Sequence, residues 1–296
     1  MANEGCETCN QNQSCNAATC NSETNGSATC KPGTNNDQKP SKIATHELNN
    51  IKHVVGVMSG KGGVGKSSVT ALLAVALNQS GYKVGILDAD ITGPSIPKLF
   101  GVKGGLPQNI GDIGVPPAES SQGVKIMSLN LLLPNEDDPV VWRGPIISGA
   151  VKQFWTDVVW GELDYLLIDL PPGTGDAPLT VLQSIPLDGL VIVSSPQELA
   201  NMVVRKAVKM ASALEVKIYG LVENMSYLSC PDCGKRINIF GPSRAEEAAE
   251  TAGIPLLGTL PLDPEMTALS DNGKIEEYKG ELLDRAKAFI KKIVEE

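Results

Sequence analysis

The chain is poor in aromatic residues, at 4% of 296. That argues against the stacking platforms on which single-stranded nucleic acids are bound. It lacks any excess of positive charge: 25 Lys and Arg stand against 34 Asp and Glu, for a net charge of −9. An acidic chain without a basic block is a poor candidate for nucleic-acid binding. No apolar run approaches the roughly 20 residues that cross a bilayer, so no membrane partner is expected. The opening residues, MANEGCETCNQNQSC, are polar and acidic. No signal peptide is therefore expected, and a cytoplasmic location is. Histidine is scarce, with only His46 and His53, which leaves cysteine as the main soft metal ligand.

What is present divides the chain in two. Residues 1–45 are rich in Asn, Gln, Ser, Thr, Gly and Cys and nearly devoid of large apolar residues. Such a segment cannot bury enough surface to offset its ordering entropy, and it reads as a disordered tail unless metal orders it. Residues 46–296 read as the folded domain, with its apolar core starting near Ile51. There, short apolar runs alternate with helical stretches: strands at Val54–Met58, Lys83–Leu87, Val124–Leu129, Tyr165–Ile168, Gly189–Val193 and Ile218–Val222, and helices at Gly65–Ser80, Ile146–Trp160 and Glu198–Ala213. Ser243 with Glu246 reads as a capping box opening a further helix. Continuous apolar strands separated by helices predict a doubly wound α/β fold with a mostly parallel sheet, whose ligands sit at the carboxyl ends of the strands.

The first strand runs into Gly60-Lys61-Gly62-Gly63-Val64-Gly65-Lys66-Ser67, a complete G-x-x-x-x-G-K-S loop. Glycines let successive backbone N–H groups converge on phosphate oxygens, and the following helix adds its N-terminal dipole. Lys66 is placed to reach the β- and γ-phosphates of ATP, and the Ser67 hydroxyl to ligate Mg²⁺. Two strand-end acidic motifs converge on the same region. KVGIL leads into Asp88-Ala89-Asp90, and DYLLI ends in Asp169, the Walker B pattern, whose carboxylate holds the Mg²⁺ shell. The following Leu170–Asp176 is a Pro/Gly loop suited to sensing the γ-phosphate. Asn224, just past a strand, reads either as an adenine contact or as an ordinary turn residue.

Cysteine is clustered. Cys230-Pro-Asp-Cys233-Gly is a C-x₂-C knuckle able to ligate one metal centre, whereas a tetrahedral sulfur site takes four ligands. Three arrangements fit that arithmetic: two subunits each donate the pair across a two-fold axis, tail cysteines complete the set, or the pair is a redox dithiol or idle. Zinc and Fe–S clusters both accept four thiolates, and C-P-x-C-G alone leans toward zinc. The tail carries Cys6, Cys9, Cys15, Cys20 and Cys30, for which a metal role and an incidental set of thiols both stand open.

The loop with its early lysine, Lys61, resembles the deviant Walker A signature of the MinD/ParA/nitrogenase-iron-protein class. In that class this lysine reaches the partner's nucleotide in a dimer. By the same resemblance, Asp90 positions or activates the attacking water and Asp88 supports Mg²⁺. The P-loop, Asp88–Ser95, Trp142-Arg143-Gly144-Pro145, Asp169–Asp176 and Cys230-Pro-Asp-Cys233 together resemble the Mrp/ApbC family of iron–sulfur cluster carriers over roughly residues 50–290. The resemblance implies a homodimeric ATPase. Lys61, Lys66 and Asp90 would serve catalysis, and Cys230 and Cys233 of two subunits would hold a labile [4Fe–4S] cluster and pass it to apo-proteins. The tail departs from the family: its spacing, C-x₂-C-x₅-C-x₄-C-x₉-C, does not map onto the N-terminal four-Cys motif of eukaryotic members. The competing reading is a MinD/ParA-type positioning ATPase, which needs a basic amphipathic segment or a basic surface. The C-terminal stretch Glu281–Glu296 is amphipathic but charge-balanced, and is expected to pack on the sheet. A reductase like the nitrogenase iron protein is a third reading, disfavoured because that protein's cluster cysteines lie far apart in sequence.

Overall fold

The computed structural model describes residues 42–91, 93–104, 114–133, 144–197 and 200–294. In chain order the elements are β1 (Asn50–Ser59), α1 (Lys66–Gln79), β2 (Val84–Asp88), α2 (Ile96–Leu99), β3 (Ala118–Glu119), β4 (Lys125–Ser128), α3 (Gly144–Thr156), β5 (Glu162–Asp169), α4 (Asp176–Ser184), β6 (Gly189–Ser194), α5 (Ala200–Ala213), β7 (Ile218–Glu223), β8 (Leu228–Ser229), β9 (Arg236–Ile237), α6 (Ala245–Ala252), β10 (Leu256–Thr259), α7 (Pro264–Asp271) and α8 (Glu281–Val294). Among the described residues, eight strands form one sheet in the order β10-β7-β6-β1-β5-β2-β4-β3. Only the β3–β4 pairing is antiparallel. This is the mostly parallel, doubly wound α/β sheet the alternation predicts.

The central strands are apolar on both faces because both faces are covered. Val55 and Val57 of β1, Ile86 of β2, Leu167 of β5 and Val191 of β6 point into one buried cluster, with α1 and α8. Their neighbours Val54, Met58, Leu87, Leu166 and Ile192 point into the other, with α3, α4 and α5. Helix α8 buries Leu282, Leu283, Ala286, Phe289 and Ile290, and it packs against α1. Its amphipathic stripe is thus consumed by the core. No helix among the described residues is long and apolar enough to cross a membrane.

Element boundaries differ from expectation where tertiary pairing outweighs local pattern. Strand β1 starts at Asn50, four residues before its apolar run, because Asn50 and Ile51 pair with Glu162 and Leu163 and Lys52 bridges Asp164 at 2.7 Å. Helix α3 stops at Thr156 rather than Trp160, since Val158 leaves it to pair with Val115. The expected capping box does not form. Helix α6 begins at Ala245, and the Ser243 hydroxyl, instead of pairing with Glu246, accepts from the Ala245 N–H at 3.3 Å while donating to Glu223 at 2.5 Å. The short edge strands β3 and β10 have no counterpart in the sequence pattern. Upstream of β1, the Ile43 N–H donates to the Ser184 carbonyl, and Thr45 Oγ1 donates to the Trp155 carbonyl at 3.1 Å.

The topology sets the site. Five adjacent strands, β7, β6, β1, β5 and β2, end at Glu223, Ser194, Ser59, Asp169 and Asp88. Parallel strands bring these carboxyl ends to one edge, where an open α/β sheet takes its ligand.

Candidate functional site

The loop after β1 connects directly to α1. Ser59 Oγ donates to the Lys61 carbonyl at 3.0 Å, which tightens its entry. Gly60 lies against Val203 of α5, and Gly62 and Gly63 form the exposed crest. Gly65 takes φ 77°, and a Cβ there would meet Asn224 Nδ2 at 2.3 Å, so both conformation and space require glycine. The buried Asn224 closes the underside of the loop by donating from Nδ2 to the Val64 carbonyl at 3.0 Å.

Lys66 is 5% exposed and sits among carboxylates. Its Nζ lies 2.7 Å from Asp169 Oδ2 and 3.8 Å from Asp90 Oδ2. The ammonium group thus neutralises the buried Walker B carboxylate until a phosphate competes for it. Ser67 Oγ donates to Asp169 Oδ2 at 2.5 Å. Thr70, one turn further along α1, donates to Asp169 Oδ1 at 2.8 Å. Asp169 therefore has both oxygens engaged by α1, and its backbone neighbours Asp88 across the β2–β5 pairing.

Asp88 is fully enclosed. Oδ1 accepts from the Asp90 N–H at 3.1 Å, and Oδ2 accepts from Ser95 N–H at 3.2 Å and Ser128 Oγ at 3.3 Å. Burial first, and then the charge of Asp169, pushes the Asp88 carboxyl up to about 8, against the pull of Lys66. A divalent cation beside these oxygens would supply the missing positive charge, and Ser67, Asp88 and Asp169 are the oxygen donors that could hold Mg²⁺. Lys61 donates from Nζ to Gln197 Oε1 within its own chain. Beside the first turn of α1, a cavity of about 170 Å³ is lined by Ser68, Asn224, Met225, Pro261, Leu262 and Met266.

The thiols stand apart, on the two-stranded hairpin β8–β9. The Cys230 N–H donates to the Lys235 carbonyl at 3.0 Å and the Gly234 N–H to the Cys230 carbonyl at 2.9 Å. Gly234, at φ 69°, takes the left-handed conformation through which the chain turns back so that Lys235 meets Cys230. Backbone N–H groups of Cys233 and Asp232 hold the Cys230 thiol below its ordinary value, which favours the thiolate that binds metal. Cys233 is exposed, as are Ile237, Ile239 and Phe240 just beyond. No three His, Cys, Asp or Glu side chains converge on a metal position among the described residues. The hairpin by itself offers two thiols.

Thr70 at the site, and the buried Glu223 and Ser226 behind it, are residues that the sequence pattern did not single out. For Thr70 a signal existed: it lies at i+4 from Lys66 on the helix face that the loop aims at β5. Thr92, Trp142, Arg143, Glu198 and the cysteines Cys6, Cys9, Cys15, Cys20 and Cys30 lie outside the described residues.

A family model described as ParA, the NUBPL iron-transfer P-loop NTPases, matches residues 50–296. The chain belongs to this family. Within this NTPase family, an iron–sulfur cluster carrier protein of Clostridium perfringens is 47% identical over 274 residues, covering 89% of this chain and 94% of that protein. One from Methanocaldococcus jannaschii is 51% identical over 237 residues, covering 80% of this chain and 81% of that one. Among solved structures, a nucleotide-binding protein from Archaeoglobus fulgidus, in complex with ADP and with cobalt found in it, is 48% identical. It aligns with a TM-score of 0.69 over 79% of this chain and 91% of its own. The cell-division protein MinD of Aquifex aeolicus aligns with a TM-score of 0.59 at 20% identity, covering 82% of this chain and 98% of its own. That likeness concerns the fold. The carrier reading is favoured over the positioning-ATPase reading by this iron-transfer NTPase membership.

Proposed function

We propose that the protein is an ATP-hydrolysing iron–sulfur cluster carrier. In this reading its dimer holds a labile [4Fe–4S] cluster between paired C-x₂-C hairpins and hands it to apo-proteins. The observation that carries this is the coexistence, in one chain, of a complete P-loop sequence and a thiol pair, an amide-supported Cys230 and an exposed Cys233, with only half the ligands a cluster needs. The names of the relatives at 47% and 51% identity support it. Exposed Ile237, Ile239 and Phe240 beside the thiols offer a second copy an apolar surface to cover.

In this reading the P-loop amides and Lys66 bind the phosphates of ATP, with Lys66 leaving Asp169 to do so. Ser67, Asp169 and Asp88 hold Mg²⁺ and its waters; the ion neutralises charge on the phosphates. Asp90, 3.8 Å from Lys66, orients the attacking water. Lys61, released from Gln197, crosses to the nucleotide of the partner. The base occupies the cavity lined by Asn224 and Pro261. Hydrolysis reshapes the interface on which the cluster sits, and this makes the cluster transferable.

The test is transfer. Full-length protein reconstituted anaerobically with iron and sulfide is mixed with an apo-protein that needs a [4Fe–4S] cluster. Recovery of the acceptor's activity, abolished by C230S and C233S, is the expected result. A site that takes only zinc under these conditions, or transfer that is indifferent to both cysteines, contradicts the proposal.

A further inference from the structure

We infer that Glu223, at the end of β7, is a positioning residue that ties the thiol hairpin to the nucleotide site. The inference rests on the two-site reading above and names the joint between the sites. Glu223 is 3% exposed. Its Oε1 accepts from Ser226 Oγ at 2.8 Å and from Ser243 Oγ at 2.5 Å. Its Oε2 accepts from the Arg244 N–H at 3.4 Å. Ser226 and Ser243 are the two ends of the excursion that carries β8, Cys230, Cys233 and β9. One buried carboxylate therefore clamps both ends of the stem from which the thiols project.

The next two residues face the other way. Asn224 Nδ2 holds the Val64 carbonyl of the P-loop, and Met225 Cε lies 3.3 Å from the Cβ position of Gly65. Met225 is in the left-handed region at φ 59°, a conformation a non-glycine residue keeps only when its surroundings impose it. The two contacts are thus adjacent on one backbone: residue 223 grips the thiol stem, and residues 224 and 225 lie under the phosphate loop. When nucleotide fills the loop, any shift of Val64 or Gly65 acts on Asn224 and Met225, and reaches the stem through Glu223. Ser243 closes this linkage at the far end. Its hydroxyl also accepts from the Ala245 N–H at 3.3 Å, which fastens the start of α6 to the same carboxylate.

Linkage of this kind is reciprocal, with typical couplings of about 5- to 150-fold. The readout is alkylation of Cys230 and Cys233 by iodoacetamide in the metal-free full chain, measured peptide by peptide, with and without Mg²⁺ and a non-hydrolysable ATP analogue. It needs no cluster. In the wild type the nucleotide is expected to change the alkylation rate by about 5-fold or more. S243A, a change at an exposed position, and E223A should reduce that response to less than about 2-fold while nucleotide affinity stays within about 3-fold, the scale of an uncoupled site. S243T and E223Q, which keep the hydroxyl and the Oε1 acceptor, should restore it. A purely structural role would not produce this pattern of loss and rescue. A wild type that binds nucleotide without a thiol response, or S243A and E223A variants that keep it, overturns the inference. A wild type that binds no nucleotide overturns the two-site reading itself, and the inference with it.

Discussion

At the residue scale, the site is a balance of one buried cation against buried carboxylates. Lys66 places its ammonium 2.7 Å from Asp169 and 3.8 Å from Asp90. K66A removes both the phosphate ligand and the neutraliser of Asp169. We expect nucleotide affinity to fall about 100-fold or more, the loss of a charge-assisted contact together with an unpaired buried carboxylate. K61A, whose side chain lies outside this cluster, should spare binding and slow hydrolysis; equilibrium titration beside phosphate release distinguishes the two. Asp88 adds a pH dependence with a definite sign. Its folded pKa is raised above the unfolded value, so its contribution to stability is present below the unfolded pKa near 3.8 and is lost as pH rises toward about 8. In nucleotide-free protein this group should lower stability by up to about 1.4 kcal/mol per pH unit across that window. D88N, a permanently neutral isostere, should flatten the slope in thermal melts between pH 5 and 8. Equal slopes for the two proteins would contradict the burial argument.

At the element scale, the phosphate loop and the two acidic strand-end motifs were legible in the sequence because each is a local pattern whose chemistry depends on residue type and spacing. The apolar runs located six of the sheet's strands for the same reason. What escaped is what tertiary pairing decides. The polar start of β1 is a strand only because β5 lies beside it, and Val158 leaves α3 only because Val115 is there. Ser243 and Glu246 satisfy a helix-capping pattern, yet the helix starts at Ala245 and the Ser243 hydroxyl bridges its first N–H to a carboxylate twenty residues upstream. Glu223 itself carries no local signal: its importance comes from the chain returning to it. Helix α8 was read correctly as a packing element from its balanced charge. F289A should cost about 3–5 kcal/mol by chemical denaturation, as for a large aromatic removed from a core. A negligible change would return this helix to the role of a surface tether. For the thiol hairpin, amide support of Cys230 predicts that its alkylation by iodoacetamide persists to lower pH than that of a free thiol. A Cys230 that titrates like free cysteine would remove that electrostatic basis for metal binding.

At the scale of the whole molecule, the protein joins two sites with different needs. The nucleotide site is complete within one chain except for the reach of Lys61, and it lies at the strand ends of a rigid sheet. In the proposed function the thiol pair is half of a site that a second chain completes. A carrier benefits from that asymmetry, because a cluster shared by two subunits is released when their contact is rearranged, whereas one enclosed in a single chain is not. The central claim is therefore stoichiometric. Residues 40–296, the compact unit that lacks the five tail cysteines, should be reconstituted anaerobically with iron and sulfide and weighed by native mass spectrometry. The account predicts a dimer carrying one cluster of four irons and four sulfides, lost in C230S. A metal-loaded monomer, or a dimer whose iron survives loss of Cys230, would contradict it.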